Sequence, residues 1–276
     1  MSRTLALCAD DFGLSPGVST GIARLAHAQR LSAVSCLVNG PHWRSGAPLL
    51  RTLPASVDVG LHFNLTDGEP LSAELRGEWP RLPPLARLIA AAHLRLLPAR
   101  AIAAELAAQW AAFSDATGHA PAFVDGHQHV HHLPQVRDAL LAAVDAAPLR
   151  PAVRSAAHVI GPGFGVKRAL IAGTGARALQ RELARRGIAH NAYLLGVYDF
   201  AAGDYRALMQ HWLARVPPEG ALLFCHPGDA DTSGVADAIR AARPREAAYL
   251  ASDAFAADLG HAGVVLGRIS ETSTPG

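Results

Sequence analysis

The chain has 276 residues, of which half are apolar and 17% charged, and its formal net charge is +2. This is enough material for one well-buried α/β domain, and the balance excludes a disordered chain. There is no basic stripe to point to nucleic acid and no Ser-, Gly- or Pro-rich stretch long enough for a linker, so a single domain over 1–276 is expected.

Short apolar runs bounded by Gly, Pro, Asn or Asp predict strands near 4–9, 33–38, 57–63, 122–125, 152–154, 188–195, 221–225 and 263–266. Between them the period changes. Segment 99–117 carries Ile102, Leu106, Trp110 and Phe113 on one helical face and stops at Gly118. Segment 134–146 opens with Pro134 and carries Val136, Leu140, Leu141 and Val144. Strands alternating with helices imply a parallel sheet. About eight of them over this length predict an α/β fold, an irregular (β/α) barrel with parallel strands, rather than a doubly wound sheet. The stretch 155–187 gives no readable pattern.

No apolar run approaches the roughly 18 residues that would span a bilayer, and no charged leader precedes the first strand, so a cytoplasmic protein without a membrane span is expected. Cys8, Cys36 and Cys225 are odd in number and lie inside apolar runs, which suits buried thiols better than disulfides.

Polar clusters recur just after the apolar runs, where a barrel places its chemistry. Asp10 and Asp11 end the first run. On an extended chain neighbouring side chains face opposite ways, so one carboxylate is expected to hold a metal and the other to serve as a base, unless the pair merely caps the helix that follows. His62 interrupts Gly60-Leu61-His62-Phe63-Asn64. Alone it reads as a core histidine; together with Asp11 and His127 it completes two imidazoles and a carboxylate, a set that leaves positions open for water and substrate.

The densest cluster is Asp125-Gly126-His127-Gln128-His129-Val130-His131. Alternation would put His127, His129 and His131 on one face, but Gly126 and Pro134 limit a straight strand to one or two residues, so three histidine ligands are not expected. His119 and His132 read as loop residues. His226, fixed at a strand mouth by Pro227-Gly228, could donate a proton to a leaving group.

Two further patterns lead elsewhere. Gly13-Leu14-Ser15-Pro16-Gly17 matches a nucleophile elbow, but Pro16 lacks the N–H that the oxyanion hole needs. Gly173-Thr174-Gly175-Ala176-Arg177-Ala178, with Asp199 beyond it, suggests a dinucleotide fingerprint, but the strand before it is too short.

The elements Ala9-Asp10-Asp11-Phe12-Gly13, Leu37-Val38-Asn39-Gly40, Gly60 to Leu65, Asp125 to His131 and Cys225-His226-Pro227-Gly228 run in order across most of the chain, which thereby resembles the YdjC-like carbohydrate deacetylases. The resemblance implies an irregular (β/α) barrel, one divalent metal ion (magnesium or zinc), and hydrolysis of an N-acetyl group from an amino sugar or oligosaccharide. It implies Asp11, His62 and His127 as metal ligands, Asp10 as base and His226 as acid. Asp125, His129 and Arg154 would support these groups or touch substrate, Asp125 by orienting a ring N–H. A homodimer is implied in the same way. The alternatives are a metal-dependent hydrolase of another amide or an ester, and a sugar-binding protein without turnover. Retention of both Asp10 and His226 argues against the latter, since holding a cation needs neither.

Overall fold

The strands are β1 (Arg3–Phe12), β2 (Ala33–Cys36), β3 (Asp58–Phe63), β4 (Phe123–Gly126), β5 (Ala152–Val153), β6 (Leu194–Leu195), β7 (Ala221–Cys225) and β8 (Val264–Leu266) in a computed structural model that describes residues 2–272. Met1 and residues 273–276, part of the single-domain span expected for 1–276, lie outside the described residues. Every strand pair is parallel, in the order β5-β4-β3-β2-β1-β7-β6, with β8 against the first residues of β1. The sheet curls until its edges touch through isolated bridges, Val153 to His190 and Val159 to Leu194. The result is the irregular (β/α) barrel expected from the alternation of elements.

Alternation along the strands sorts the core into two. Leu5, Leu7, Ala9, Val34, Leu61, Val124 and Leu223 pack outward with the helices, whereas Ala6, Cys8, Ala33, Phe123, Ala152, Leu222 and Phe224 form a separate inner cluster. The inner series continues toward the carboxyl ends of the strands as Asp10, Ser35, His62, Asp125, Arg154 and His226. The residues that carry the chemistry are thus the inward-facing positions that follow the apolar plug, as the period of two requires.

Helix 16–27 begins at Ser15, whose Oγ accepts the Val18 N–H, with Pro16 in the first turn. Ser15 is therefore a helix cap, and the capping role considered for the aspartate pair falls to it. Helix Ala99–Thr117 ends on Gly118 in the left-handed region, as its sequence predicts. The next helix, expected over 134–146, starts at Val136 because Gln135 adopts φ 67° and uses its side chain to hold Leu97 N–H and C=O instead.

The strand expected over 188–195 narrows to Leu194–Leu195. Upstream of it the Asn191 side chain takes over the pairing, accepting from Ser155 N and donating to Ser155 O and Tyr193 O. Residues 165–185 are helical, with one wide turn at 172–176. There is accordingly no strand before Gly173, and the dinucleotide reading of Gly173 to Ala178 fails. No helix among the described residues is long and apolar enough to cross a membrane.

The filled interior makes a prediction. A Cβ on Gly60 would lie 2.5 Å from the Phe123 ring, closer than van der Waals contact allows. Gly60→Ala should lose about 1–3 kcal/mol in urea unfolding, and adding Phe123→Leu should recover part of it; an unaltered midpoint in the single variant would mean that the barrel interior is looser than described.

Candidate functional site

Asp10 points inward from the end of β1 and meets Arg154, which follows β5. Arg154 Nη1 donates to Asp10 Oδ2 at 2.7 Å and Nη2 to Oδ1 at 2.6 Å, a two-pronged pair with both side chains buried. The same Nη2 lies 2.5 Å from Asp125 Oδ2 and 3.1 Å from Cys8 Sγ. Cys8, Asp10 and Asp125 converge closely enough to suggest a cation site, but the guanidinium already supplies the positive charge there. Burial opposes the charge on Asp125, yet Arg154 and then His62 and Ser35 outweigh it and hold the carboxyl well below the usual carboxylate range.

Asp11 sits where β1 gains a residue on β2: Ala9 pairs with Val34, but Phe12 pairs with Cys36. Asp11 takes φ 70°, a left-handed conformation unusual for a residue inside a strand. Simple alternation would point its side chain outward; the bulge turns it back to the barrel mouth. There Oδ2 accepts from Arg243 Nη2 at 2.8 Å, and Oδ1 lies 3.1 Å from His127 Nδ1 and 3.5 Å from His62 Nε2. Despite these distances Oδ1 has no hydrogen bond of acceptable geometry. For Asp11, burial would raise the pKa, but Arg243 and His127 prevail and lower it.

The far nitrogens of the two rings are both engaged. His62 Nδ1 lies 2.6 Å from Asp125 Oδ1, an oxygen that also accepts from Ser35 Oγ at 2.6 Å. His127 Nε2 lies 2.7 Å from Asp67 Oδ2. A ring that donates one N–H to a carboxylate presents the lone pair of its other nitrogen. His62 Nε2 and His127 Nδ1 therefore face Asp11 Oδ1 as three acceptors around one point, all within 4.8 Å of one another. Three acceptors without a donor among them repel unless a cation or proton lies between. Burial works against charge on His127, but contacts with Asp11 and Asp67 outweigh it and raise its pKa to about 10, so a proton takes that place when no cation does. The donor set of one carboxylate and two imidazoles, each imidazole backed by its own carboxylate, fits a divalent ion.

The histidines after His127 turn elsewhere. Gln128 and His129 adopt φ 53° and 62°, so the chain kinks instead of continuing as a strand. His129, expected to support a ligand or touch substrate, packs edge-on against Phe224 with centroids 5.4 Å apart and stacks over His132 at 6.2 Å. His131 is buried with Nε2 2.9 Å from Arg154 O, and His132 Nε2 lies 2.8 Å from Thr174 Oγ1. His132, read from sequence as a loop residue, is instead buried: it docks the 127–132 segment on the wide turn at 172–176.

His226 follows Phe224 inward. Its backbone N–H donates to buried Glu246 at 2.6 Å, and its ring stands edge-on to Phe200 and Phe224 at 5.1 and 5.6 Å. Burial lowers its pKa to about 4, against the pull of Asp11 and Asp10, so the ring is neutral near pH 7. Sequence reasoning missed four contributors: Arg243, Asp67, Ser35 and Glu246. Asp67 lies five residues after His62 and Ser35 at an inward β2 position, signals that could have been used; Arg243 and Glu246 reach the site from a distant helix, and no local pattern marks them.

Removing Arg154 leaves buried Asp10 without its cation and Asp125 with only His62 and Ser35, so Arg154→Ala should cost about 3–5 kcal/mol at neutral pH. A carboxylate with a depressed folded-state pKa contributes stability above its unfolded value of about 3.9 and loses it as the pH falls through the folded value. Without Arg154, burial pushes the Asp125 pKa up, and acid unfolding followed by circular dichroism should move to higher pH. An unchanged acid midpoint would rule out this coupling.

A profile of the family described as YdjC-like protein matches residues 4–261. A chitooligosaccharide deacetylase from Klebsiella pneumoniae (strain 342) is 31% identical over 275 residues, 97% of this chain and 98% of that protein. One of the same name from Salmonella paratyphi B (strain ATCC BAA-1250 / SPB7) is 38% identical over 143 residues, 49% of this chain and 53% of its own length. Among solved structures, an Enterococcus faecalis V583 protein described provisionally as a cellobiose-phosphate cleavage protein superposes with a TM-score of 0.74 at 20% identity, covering 99% of this chain and all of that one, which shows a shared fold. With the profile spanning almost the whole sequence and a relative aligned end to end, the chain belongs to the YdjC-like family.

Proposed function

We propose that the protein is a carbohydrate N-deacetylase that hydrolyses the acetamide of an N-acetylglucosamine-containing oligosaccharide, with a divalent cation held by Asp11, His62 and His127. The observation that carries this reading is the convergence of Asp11 Oδ1, His62 Nε2 and His127 Nδ1 on one point, each imidazole backed by its own carboxylate, in a chain kin to chitooligosaccharide deacetylases. When bound, magnesium or zinc supplies the positive charge that acidifies water and offsets the oxyanion of acyl transfer.

The chain's own groups supply the rest. Asp10 takes the proton of the attacking water, and the Arg154 fork fixes where its oxygens lie. Asp10 Oδ2 spends one lone pair on Arg154 and keeps another for that proton, whereas Oδ1 also accepts from Cys8 Sγ at 3.5 Å. Asp125 and Asp67 hold the two imidazoles with their lone pairs inward. His226, walled by Phe200 and Phe224, delivers a proton to the departing amine. It enters as a neutral ring. The ring takes up from solvent the proton it passes to the amine, an uptake that negative charge building on the substrate favours in the same sense as Asp10 and Asp11, while Asp10 returns the proton of the attacking water to solvent. The products are acetate and the free amine, with no acyl-enzyme.

Acetate release from N-acetylated chitooligosaccharides should cease on treatment with a chelator and return with magnesium or zinc; full activity in the chelated protein would overturn the cation. Asp10→Asn should lower kcat about 10²–10⁴-fold while titration calorimetry shows metal affinity unchanged within a few-fold. If Asp10→Asn hydrolysed at the wild-type rate, the base would lie elsewhere. Preference for O-acetylated over N-acetylated sugars would shift the reading to an esterase.

A further inference from the structure

Asp67 was drawn into the site by no motif, and its side chain is 63% exposed, yet it holds the ring of one candidate ligand. An exposed carboxylate on a loop fixes a ring only if the loop itself is fixed. The loop that follows β3 is held from below by helix 99–117, whose buried face carries Glu105 and Gln109 among apolar neighbours. Both have 0% exposure, and buried polar side chains need partners.

Their partners are the loop. Gln109 Oε1 accepts the Asn64 backbone N–H at 3.0 Å, and Gln109 Nε2 donates to Asn64 O at 2.8 Å and to Glu105 Oε1 at 2.7 Å. Glu105 in turn accepts the N–H groups of Leu71 at 3.0 Å and Ser72 at 2.7 Å. One helix face thus grips the loop at both ends. Inside it, Asn64 Oδ1 accepts from Asp67 N at 3.1 Å and Asn64 Nδ2 donates to Asp67 O at 2.8 Å, so both backbone polar groups of Asp67 are tied to one buried side chain. Asn39 Oδ1 accepts a further bond from Asn64 Nδ2 at 3.0 Å.

We infer that Asp67 is a positioning residue for His127, and that Gln109 and Glu105 act through Asn64 to keep it there. Asp67 binds His127 Nε2–H and so commits Nδ1 to the point shared with Asp11 and His62. The arrangement is the counterpart of Asp125 behind His62, built from a surface loop instead of a strand. The inference rests on the cation reading for its consequence, although the Asp67–His127 contact exists without it.

The test uses the full chain, zinc as the probe and two readouts. In the metal-free protein, nitrogen-edited NMR should show a slowly exchanging His127 Nε2–H resonance that Asp67→Ala abolishes. By calorimetry Asp67→Ala should weaken zinc binding about 10- to 100-fold with little change in Tm, and Asp67→Asn, which keeps an oxygen acceptor, should restore most of the affinity. Gln109→Leu should weaken zinc binding similarly, and the Asp67→Ala/Gln109→Leu pair should bind no worse than Asp67→Ala alone, because both act through one contact. Where Gln109→Leu fails to fold, Glu105→Gln takes its place in the same cycle.

Wild-type zinc affinity in Asp67→Ala, an unchanged Nε2–H resonance, or additive losses in the double variant would each overturn the inference. So would a loss beyond about 1,000-fold, which would make Asp67 itself a ligand. A wild-type protein that binds no zinc but shows the protected Nε2–H would instead overturn the cation reading and leave the Asp67–His127 contact standing.

Discussion

The structure turns on one guanidinium. Arg154 is fully buried at the level where the apolar plug of the barrel gives way to polar side chains, and it binds Asp10 and Asp125 at once. Stripping water from three charges is unfavourable and is offset by the two-pronged hydrogen bond to Asp10 together with the ion pair to Asp125. From that point polar contacts run on through the site. Asp125 passes to His62, His62 faces Asp11, Asp11 pairs with Arg243, and Arg243 pairs with Asp237. Each member orients the next, so the direction of the His62 lone pair follows from a contact two residues away. A lysine in place of Arg154 would keep the charge but not the two-pronged bond to Asp10.

The same chain explains why two adjacent aspartates can serve different ends. Asp10 follows the alternation of β1 into the barrel, while Asp11 would face the helices if the strand ran straight. A single extra residue and a left-handed φ bring it back, so that both carboxylates address the mouth from different depths. Backbone in that region costs about 1–3 kcal/mol and persists where its surroundings hold it. Here Arg243 does so through Oδ2, leaving Oδ1 for the shared point.

The frame was legible in the sequence because it depends on period and on punctuation. Apolar runs ending at Gly, Asp or Asn marked most strands to within a few residues, the run 188–195 excepted, and the polar residue after several of them marked the barrel mouth. Asp10, Asp11, His62, His127 and His226 could be read that way, since all end or follow strands. What escaped depends on tertiary pairing. The bulge at Asp11 arises from pairing with β2, the kink at Gln128 and His129 from packing against Phe224 and the turn at 172–176, and Arg243 from a helix more than two hundred residues beyond Asp11. Arg154 was suggested by family resemblance alone. Segment 155–187 resisted reading because its helices are short and interrupted by Gly175, whose φ of 134° and close approach to His132 O leave no room for a side chain.

Stability and chemistry pull against each other at this mouth. Asp11, Gln128, His129 and Phe200 all carry positive φ, and His129, His131 and His226 each bury a ring nitrogen without a partner. None of these features helps the chain to fold. Such strain is tolerated because it sits on a rigid base, the inner cluster from Ala6 to Phe224 and the helices packed outside it. The apolar half of each strand therefore supports the polar half. A barrel with a looser plug could not hold Asp10 and His226 at fixed depth, however well the residues at its mouth were chosen, because each is the last inward position of a strand whose earlier inward positions, Cys8 and Phe224, set its height.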